Sequence, residues 1–260
     1  MIELRELCAG YPGRPVLRKA NIACRPGQVT VLCGPNGCGK STALKVAARL
    51  LEPTAGQVFV DGRPAASYSS RQFAKRVALL PQMRAAANLT ARSLVLHGRF
   101  PYLGYPRRYT PADHQIVREA MERTGTWGFA DAPVSSLSGG ERQKVYLAMC
   151  LAQDTPVLLL DEPTTYLDIA HQLELMALVR DLAREGRTVF MVLHDLNLAM
   201  TNADQVIVMD AGAVCQAGAP EQIYRSGVIE RVFAVRALCT EDADGRPQYL
   251  LSKVAPKGAP

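Results

Sequence analysis

The sequence predicts an α/β fold built on a mostly parallel sheet, and three observations support this. Short apolar runs typical of buried strands occur at 28–33, 157–160 and 188–193. The stretch from Ala170 to Glu185, between the last two runs, has the apolar periodicity of a helix. A glycine-rich segment follows the first run and leads into a second helical stretch, Ser41 to Leu51. Strands that alternate with helices are typical of parallel sheets covered by helices.

The remaining strands can be placed in chain order. Ile2 and Leu4 alternate with polar neighbours, as in a half-exposed strand. Further strands are predicted at 57–60, 77–80 and 205–209. The helix that starts at Ser41 is expected to stop near Pro53, because proline cannot continue a helix.

The middle of the chain has a different texture. From 83 to about 153 the strand-like runs disappear, and helical patterns such as Asp113 to Arg123 dominate. We therefore expect a mainly helical subdomain inserted into the sheet-forming core. The last segment, 237–260, is expected to form a short strand pair or a loose tail.

Composition limits the kind of protein. With 260 residues and 48% hydrophobic content, the chain can build one sizeable domain. No run approaches the roughly 18 apolar residues that span a bilayer, and the first residues lack the apolar core of a signal peptide. We expect a cytosolic chain whose membrane role comes through a partner. The net charge is +6, and the chain contains no block of like charges that would suggest an arm that binds nucleic acid.

Cysteine and histidine give no sign of a disulfide framework or a zinc site. The seven cysteines form no CxxC pair, so we expect reduced and mostly buried thiols. The four histidines are too dispersed for the spacing of zinc ligands.

Residues 34–42 form a phosphate-binding loop. They match the pattern GxxxxGK[ST] in full and lie between a predicted strand and a predicted helix, the context that phosphate binding requires. Lys40 is expected to reach the β- and γ-phosphates, and the Ser41 hydroxyl to ligate Mg²⁺. The predicted ATP-binding residues of the loop are Gly34, Pro35, Asn36, Gly37, Cys38, Gly39, Lys40, Ser41 and Thr42.

Cys38 occupies a variable position of this loop. It is either a tolerated small residue or, because it lies beside a helix N-terminus, an acidified and reactive thiol.

Two acidic residues follow the apolar run at 157–160. Carboxylates at the C-terminal end of a parallel strand face the ligand crevice. Asp161 is therefore placed to hold Mg²⁺, and Glu162 to polarise an attacking water.

The heptapeptide Leu137-Ser-Gly-Gly-Glu-Arg-Gln143 lies between the phosphate loop and these two acidic residues. Taken alone, it indicates only an ordinary helix start with a serine cap. In this order, however, the three motifs resemble those of the ATP-binding cassette family, in which the heptapeptide is the signature motif. The signature residues that this resemblance implies are Ser138, Gly139, Gly140 and Glu141.

The resemblance implies a P-loop NTPase (RecA-like) parallel-sheet core, with an antiparallel β edge and an inserted α-helical subdomain. It implies an ATPase domain at 1–236, in which 1–82 and 154–236 form the core and 83–153 the helical subdomain, followed by a C-terminal extension at 237–260. It also implies a homodimer, because the signature binds ATP held by a second copy. Ser138 and Gly140 would contact that γ-phosphate.

Further site residues are implied by position. Tyr11 resembles the aromatic residue that stacks on adenine, and Gln82 the Q-loop glutamine that senses Mg²⁺ or the attacking water. Glu162 resembles the family's general base, and His194 the switch histidine that contacts the γ-phosphate. Asp168 occupies the D-loop position that bridges to the partner's phosphate loop, although Tyr166 departs from the alanine most common beside it.

Three stretches resemble the ferric-siderophore importers: 98–102, 161–172 and 193–197. This subgroup implies an ATPase subunit on the cytoplasmic face of the inner membrane that works with integral-membrane permease subunits. Through them it would work with a periplasmic or lipoprotein solute-binding protein. Import of vitamin B12 or haem is the first alternative. A soluble cassette acting on nucleic acid or ribosomes is an alternative of another class, although we expect no nucleic-acid partner.

The segment 99–109 interleaves basic and aromatic residues. Arg99, Tyr102 and Arg107 could support permease docking, form an ordinary surface with arginine stems lying along apolar groups, or stack single-stranded nucleic acid.

Overall fold

The computed structural model describes residues 1–82, 88–243, 245 and 247–253. Within them the strands are β1 (Ile2–Tyr11), β2 (Arg14–Cys24), β3 (Val29–Cys33), β4 (Ala55–Val60), β5 (Arg63–Pro64), β6 (Val77–Leu80), β7 (Val157–Asp161), β8 (Thr188–Val192), β9 (Gln205–Asp210), β10 (Ala213–Gly218), β11 (Val235–Glu241) and β12 (Pro247–Lys253). The α-helices are α1 (Lys40–Ala47), α2 (Ser70–Ala74), α3 (Ala91–Leu96), α4 (Pro111–Arg123), α5 (Gly139–Ala152), α6 (Ile169–Arg184), α7 (Leu196–Asn202), α8 (Pro220–Arg225) and α9 (Val228–Phe233).

The central sheet is six-stranded, in the order β10-β9-β3-β8-β7-β6. All neighbours from β9 to β6 are parallel, and only β10 pairs antiparallel at the edge. Every residue of β3, β7 and β8 is buried, as expected for parallel strands covered on both faces. The predicted parallel α/β core is confirmed.

The two faces of this sheet contribute to two hydrophobic cores. Along β7, Leu158 and Leu160 belong to the core formed with α5, α6 and α9, whereas Val157 and Leu159 belong to the core on the other face. This alternation follows from the two-residue period of a strand. The second core contains α1 and the inner side of a four-stranded antiparallel sheet, β2-β1-β4-β5. The expected antiparallel edge is therefore present.

Helices α3, α4 and α5 lie between β6 and β7 in the chain and pack against one another. Side-chain hydrogen bonds connect this helical part to the core. Arg71 donates to the carbonyl oxygens of Pro101 (2.9 Å) and Leu103 (2.7 Å), and Gln153 Nε2 donates to that of Val77 (3.0 Å). The residues at 83–87, where the helical pattern was predicted to begin, lie outside the described residues. Among the helices that the structure describes, none combines the length and the hydrophobicity needed to cross a membrane.

Helix α1 ends earlier than predicted. It stops at Ala47 rather than Leu51, because Arg49 is in the left-handed region (φ +57°) and the Leu50 amide turns back to the Lys45 carbonyl (2.8 Å). A left-handed residue ends a helix in this way, and apolar periodicity does not reveal it.

The C-terminal segment forms the strand pair β11–β12, which starts at Val235. Tyr249 is buried there against Tyr224, with ring centroids 5.8 Å apart. The paired part of the segment is therefore packed against the domain rather than loose.

The basic and aromatic segment at 99–109 divides into a buried and an exposed part. Arg99 is only 6% exposed; it pairs with Asp113 at 2.9 Å, donates to the Ala152 carbonyl at 2.9 Å, and lies 4.0 Å from the Tyr102 ring centroid. Arg99 is therefore a structural residue of the helical region, which the residue pattern did not reveal. Arg107 is exposed.

Replacing Arg99 by alanine should lower the free energy of unfolding by about 3 kcal/mol, because Asp113 would keep a buried charge without its partner. Urea denaturation followed by circular dichroism measures this. Arg107→Ala is the matched control and should change stability by less than about 0.5 kcal/mol. Equal stability of the two variants would contradict the structural role of Arg99.

Candidate nucleotide-binding site

The candidate site lies where four neighbouring parallel strands end. The phosphate loop follows β3, His194 lies just beyond β8, Asp161 and Glu162 are at the end of β7, and Gln82 lies just beyond β6. Ligands of open α/β sheets bind at this carboxyl edge. The fold thus brings together residues that lie more than a hundred positions apart in the sequence.

Glycine is required at several points of the phosphate loop. Gly37 and Gly39 have φ values of +79° and +109°, which side chains disfavour. Gly34 approaches the Met209 carbonyl so closely that a Cβ atom would lie 2.3 Å from its oxygen. The sheet itself therefore imposes the first glycine of the motif.

Lys40 and Ser41 begin helix α1 with their polar groups held in place. Lys40 Nζ donates to the carbonyl oxygens of Gly34 (2.8 Å) and Pro35 (3.0 Å). Ser41 Oγ donates to Asp161 Oδ1 at 3.1 Å. The ammonium group, the hydroxyl and a carboxylate thus border the same loop.

Asp161 is a buried carboxylate with oxygen-rich surroundings. Burial raises the pKa of Asp161 above its ordinary value, and the hydrogen bond from Ser41 partly offsets this. Hydroxyl and carboxylate oxygens are the donors that Mg²⁺ prefers. Among the described residues, no group of three or more His, Cys, Asp and Glu side chains could hold a metal.

Glu162 is the residue at which the site side chains meet. Its Oε2 accepts a hydrogen bond from Gln82 Nε2 at 2.7 Å, and its Oε1 lies 2.5 Å from His194 Nε2. Its backbone has φ +51°, and its amide donates to the Val192 carbonyl at 3.2 Å. A left-handed conformation at a buried glutamate is unfavourable, so the surrounding contacts must hold it.

A cavity of about 330 Å³ lies over this constellation. It is lined by Tyr11, Arg14, Val16, Asn36, Gly37, Gly39, Lys40, Ser41, Thr42, Gln82, Glu162 and His194. Gly34, Pro35 and Cys38 belong to the same loop but are not among the lining residues. Arg14 and Val16 were not predicted, because they belong to no motif; Arg14 reaches the cavity because it pairs with Tyr11 across the β1–β2 hairpin.

Cys38 does not have the properties of a reactive thiol. It is 4% exposed, and burial raises its pKa, with Lys40 only partly offsetting the effect. The helix N-terminus thus fails to acidify it, because desolvation of the thiolate dominates. All seven cysteines are free thiols, as expected, and burial raises the pKa of Cys33 to about 12.

The signature residues form a second, separate cavity. Ser138 caps α5 by accepting from the Glu141 amide at 3.3 Å, and Glu141 accepts from the Ser138 amide at 2.9 Å. The latter bond lowers the pKa of Glu141. The cavity, about 630 Å³, is lined by Ser138, Gly139, Gly140, Glu141, Tyr166 and Asp168 among others, and it shares no lining residue with the phosphate-loop cavity.

Asp168 begins helix α6 as an exposed N-cap. Its carboxylate accepts from the His171 amide at 2.9 Å, and this bond lowers its pKa. Gln143, the last residue of the heptapeptide, is buried and donates to the Pro163 carbonyl at 2.6 Å. This link between α5 and the segment after Glu162 was not predicted, because the sequence gives no sign of which helical glutamine is buried.

The carboxyl edge of the parallel sheet carries a phosphate loop, a Ser–Asp pair and a glutamate between glutamine and histidine. This combination defines a nucleotide-hydrolysing protein of the P-loop class. Residues 17–165, more than half of the chain, match the ABC transporter family. The chain belongs to this family, and its activity is ATP hydrolysis coupled to transport.

Individual relatives agree with this membership. The achromobactin transport ATP-binding protein CbrD of Dickeya dadantii is 44% identical, over 89% of this chain and 87% of its own length. The iron(3+)-hydroxamate import ATP-binding protein FhuC of Bacillus subtilis is 41% identical, over 96% and 94%. The ATP-binding cassette MJ0796, solved as a dimer in a post-hydrolysis state with ADP and phosphate, superposes with a TM-score of 0.76 at 27% identity over 85% of this chain and 99% of its own.

Alkylation should separate the buried from the exposed thiols. Iodoacetamide near neutral pH should label Cys215, which is exposed, before Cys38, because the raised pKa keeps the Cys38 thiol protonated. Peptide mass spectrometry after short exposures measures the order. Labelling of Cys38 ahead of Cys215, with protection by MgATP, would restore the reactive-thiol hypothesis.

Proposed function

We propose that this chain is the ATP-hydrolysing subunit of an importer that energises uptake of an iron–siderophore complex across the inner membrane. The observation that carries the proposal is Glu162, held between Gln82 and His194 next to the Lys40 loop. The cargo follows from the relatives, whose names refer to achromobactin and to iron(3+)-hydroxamate. The subunit would act at the cytoplasmic face of the membrane.

The phosphate-loop cavity would hold ATP. Backbone amides of 36–42 and the positive end of α1 suit the phosphates. Lys40 would exchange its bonds to the loop carbonyls for the β- and γ-phosphates. Tyr11 is 44% exposed at the end of β1, with Lys45 donating to its hydroxyl at 3.4 Å, and its ring would stack on adenine.

Ser41, Asp161 and Gln82 would hold Mg²⁺ together with phosphate oxygens. The donor set fits the ion, because all three residues offer oxygen ligands and the buried Asp161 gains from a nearby cation. Mg²⁺ bound there would neutralise charge on the phosphates. Asp161 would act directly or through water, with Ser41 kept in position by its bond to the same carboxylate.

Glu162 would accept the proton of the attacking water. Gln82 and Thr165 both approach Oε2, at 2.7 and 3.5 Å, whereas within the described residues Oε1 is approached only by His194. Each carboxylate oxygen can accept two hydrogen bonds, so Oε1 keeps a lone pair for water. Gln82 and His194 would therefore orient the base without blocking it.

A second copy of the chain would complete the site. Ser138 and Gly140 lie in a cavity separate from Lys40 and Glu162, so one chain supplies two halves that do not meet. In a homodimer, the signature of each chain would contact the γ-phosphate held by the other. Asp168 would then face the partner's phosphate loop. ATP would close the dimer, and hydrolysis would reopen it.

The helical region would transmit this motion to the permease. We propose that 83–153 is the helical subdomain and that its exposed segment, with Tyr105 (100% exposed) and Arg107, lies at the permease surface. Arg99, which is buried and supports this segment from within, would not contact the permease. A solute-binding protein outside the membrane would deliver the cargo to the permease.

Replacing Glu162 by glutamine should reduce ATP hydrolysis at least ~100-fold, because the general base is lost, while ATP binding persists. The variant should accumulate as an ATP-bound dimer, which size-exclusion chromatography with light scattering detects. Lys40→Ala is the control and should lose nucleotide binding. A Glu162→Gln protein that stays monomeric in MgATP and hydrolyses normally would show that Glu162 is not the base.

Uptake in cells tests the cargo. Cells that lack the chain should take up ferric siderophore only after complementation with the wild type and not with Glu162→Gln. Labelled vitamin B12 and haem are measured in parallel, and restoration of either instead of the siderophore would overturn the cargo assignment. Purification of the chain from membranes tests the importer assignment itself. If ribosomes or nucleic acid co-purify instead of a multi-spanning permease, that assignment is overturned.

The double variant Tyr105→Ala/Arg107→Ala tests the coupling to the permease in the same uptake experiment. It should lower uptake while its ATPase activity stays unchanged, because both side chains are exposed and neither lines the phosphate-loop cavity. Unchanged uptake would contradict docking at this segment.

A further inference from the structure

Positive charge is concentrated in one part of the chain. Between Asp61 and Asp113 the sequence contains nine lysine and arginine residues and no aspartate or glutamate. The net charge of the whole chain is +6, so the residues outside this stretch together carry a net charge of −3. Such a stretch produces a local positive field that the overall charge does not reveal.

Ion pairs neutralise only part of this charge. Three of the arginines pair with carboxylates, and these are Arg76, Arg92 and Arg99. Arg84 lies outside the described residues. Within the part of the chain that the structure describes, no carboxylate comes within ion-pair distance of the other five, which are Arg63, Arg71, Lys75, Arg107 and Arg108.

Helix α2 and the turns beside it bring several of these cations close together. Arg71 lies in α2, and Lys75 directly follows the helix. Arg49, which follows α1, donates to the Tyr68 carbonyl at 2.9 Å. Arg63 lies 5.3 Å from the ring centroid of the same tyrosine. We call these four cations, Arg49, Arg63, Arg71 and Lys75, the α2 basic face.

The contacts of the α2 basic face leave its positive charge uncompensated. Arg71 donates to the backbone carbonyls at 101–103, and Lys75 Nζ lies 4.8 Å from the Tyr102 ring centroid. Carbonyl groups and aromatic rings carry no net charge, so they orient the cations without cancelling their field. Three members of the face are exposed and Lys75 is half-buried. The charge is therefore directed to an anionic partner outside the chain.

A membrane surface suits the α2 basic face better than a nucleic acid does. Single-stranded nucleic acid stacks its bases on open aromatic faces. The two rings of this face, Tyr68 and Tyr102, are already approached by its own cations. Leu50, next to Arg49, is 67% exposed. An apolar side chain beside cations suits the boundary between lipid headgroups and acyl chains.

The α2 basic face adjoins the segment that we propose to contact the permease. Arg71 holds the backbone at 101–103, and Tyr105 lies only two residues further along the chain. A surface next to a bound permease is kept close to the lipid headgroups that surround the permease. The cytoplasmic leaflet contains anionic lipids, which attract basic segments.

We propose that the α2 basic face binds the anionic phospholipid headgroups of the membrane around the permease. Its position beside the membrane rests on the proposed function, whereas its affinity for anionic headgroups depends on the face alone. Each cation near an anionic bilayer strengthens binding about fivefold, so four cations give a substantial attachment. The contact uses neither nucleotide nor catalytic residues.

The first test measures binding of the complete chain to lipid vesicles by flotation. Vesicles of phosphatidylcholine and phosphatidylglycerol in equal parts are compared with vesicles of phosphatidylcholine alone. The wild type should float only with the anionic vesicles, and added salt should weaken binding, because salt shortens the range of the field. Arg63→Gln/Lys75→Gln should weaken binding about 25-fold, because two cations are lost.

The double variant Arg231→Gln/Arg236→Gln is the matched control. Both residues are exposed, on α9 and β11, and the control has the same net charge as the test variant. Helix α9 contributes Ile229 to one hydrophobic core, whereas α2 contributes Phe73 to the core on the other face of the central sheet. The control should bind anionic vesicles like the wild type. Circular dichroism and ATP binding should be unchanged in both variants.

The second test needs no substitution. Acetylation of the wild-type chain should modify Lys75 at least about threefold more slowly with anionic vesicles than with neutral ones, because a bound bilayer excludes the reagent. Lys253, which is exposed on β12, should react equally with both. Peptide mass spectrometry measures the two rates.

The outcomes separate this inference from the proposed function. Equal loss of vesicle binding in both double variants would show that overall charge attracts the bilayer, and would overturn the inference. Absence of binding to anionic vesicles, or unchanged acetylation of Lys75, would overturn it too, while the ATPase and its uptake activity would stand. Tighter binding to single-stranded RNA than to anionic vesicles would assign the face to nucleic acid. Loss of permease co-purification in Arg63→Gln/Lys75→Gln with normal vesicle binding would assign the face to the permease, and either result would overturn the inference.

Discussion

The parallel ladder that joins β3, β8, β7 and β6 is the constraint on which the site depends. Parallel strands end at one edge, so the residues that follow them meet there. The strand ends alone are sufficient to bring together four parts of the site that are distant in the chain: the phosphate loop, His194, Glu162 and Gln82. Burial of β3, β7 and β8 on both faces fixes their register, because a one-residue slip would exchange the two hydrophobic cores.

The strand ends also determine the surroundings of the Glu162 carboxylate. Its left-handed backbone lies directly after β7, and the bond from its amide to Val192 extends the pairing with β8. The same connection brings the carboxylate between His194 and Gln82, one from each neighbouring strand end. In its proposed role as base, a carboxylate fixed from both sides would lose little orientation freedom when a water molecule arrives. Asp161, one residue earlier, faces the phosphate loop through Ser41. Two adjacent acidic residues thus have different surroundings and suit different roles.

The site residues fall into two separate cavities, and the proposal that a second chain completes the site rests on this division. Helix α5 presents the signature at one place and α1 presents the phosphate loop at another, and the described residues lining the two cavities do not overlap. Tyr166 lies against the signature glycine and leads into the exposed apolar side of α6. In the proposed dimer, nucleotide would bring the two half-sites together.

The sequence by itself determined the family, the parallel core and nearly all residues of the phosphate-loop cavity, because these are local patterns: Gly34–Lys40 must curl around phosphate, and Asp161–Glu162 must follow a buried strand. Tertiary structure alone decided what depends on packing between distant segments. It buried Arg99 against Asp113, brought Arg14 to the cavity by strand pairing, and ended α1 at Ala47. It also raised the pKa of Cys38 by burial, where the helix N-terminus alone would lower it. Packing alone also decided which side of α6 is buried, because an apolar residue in a sequence does not show which surface it covers.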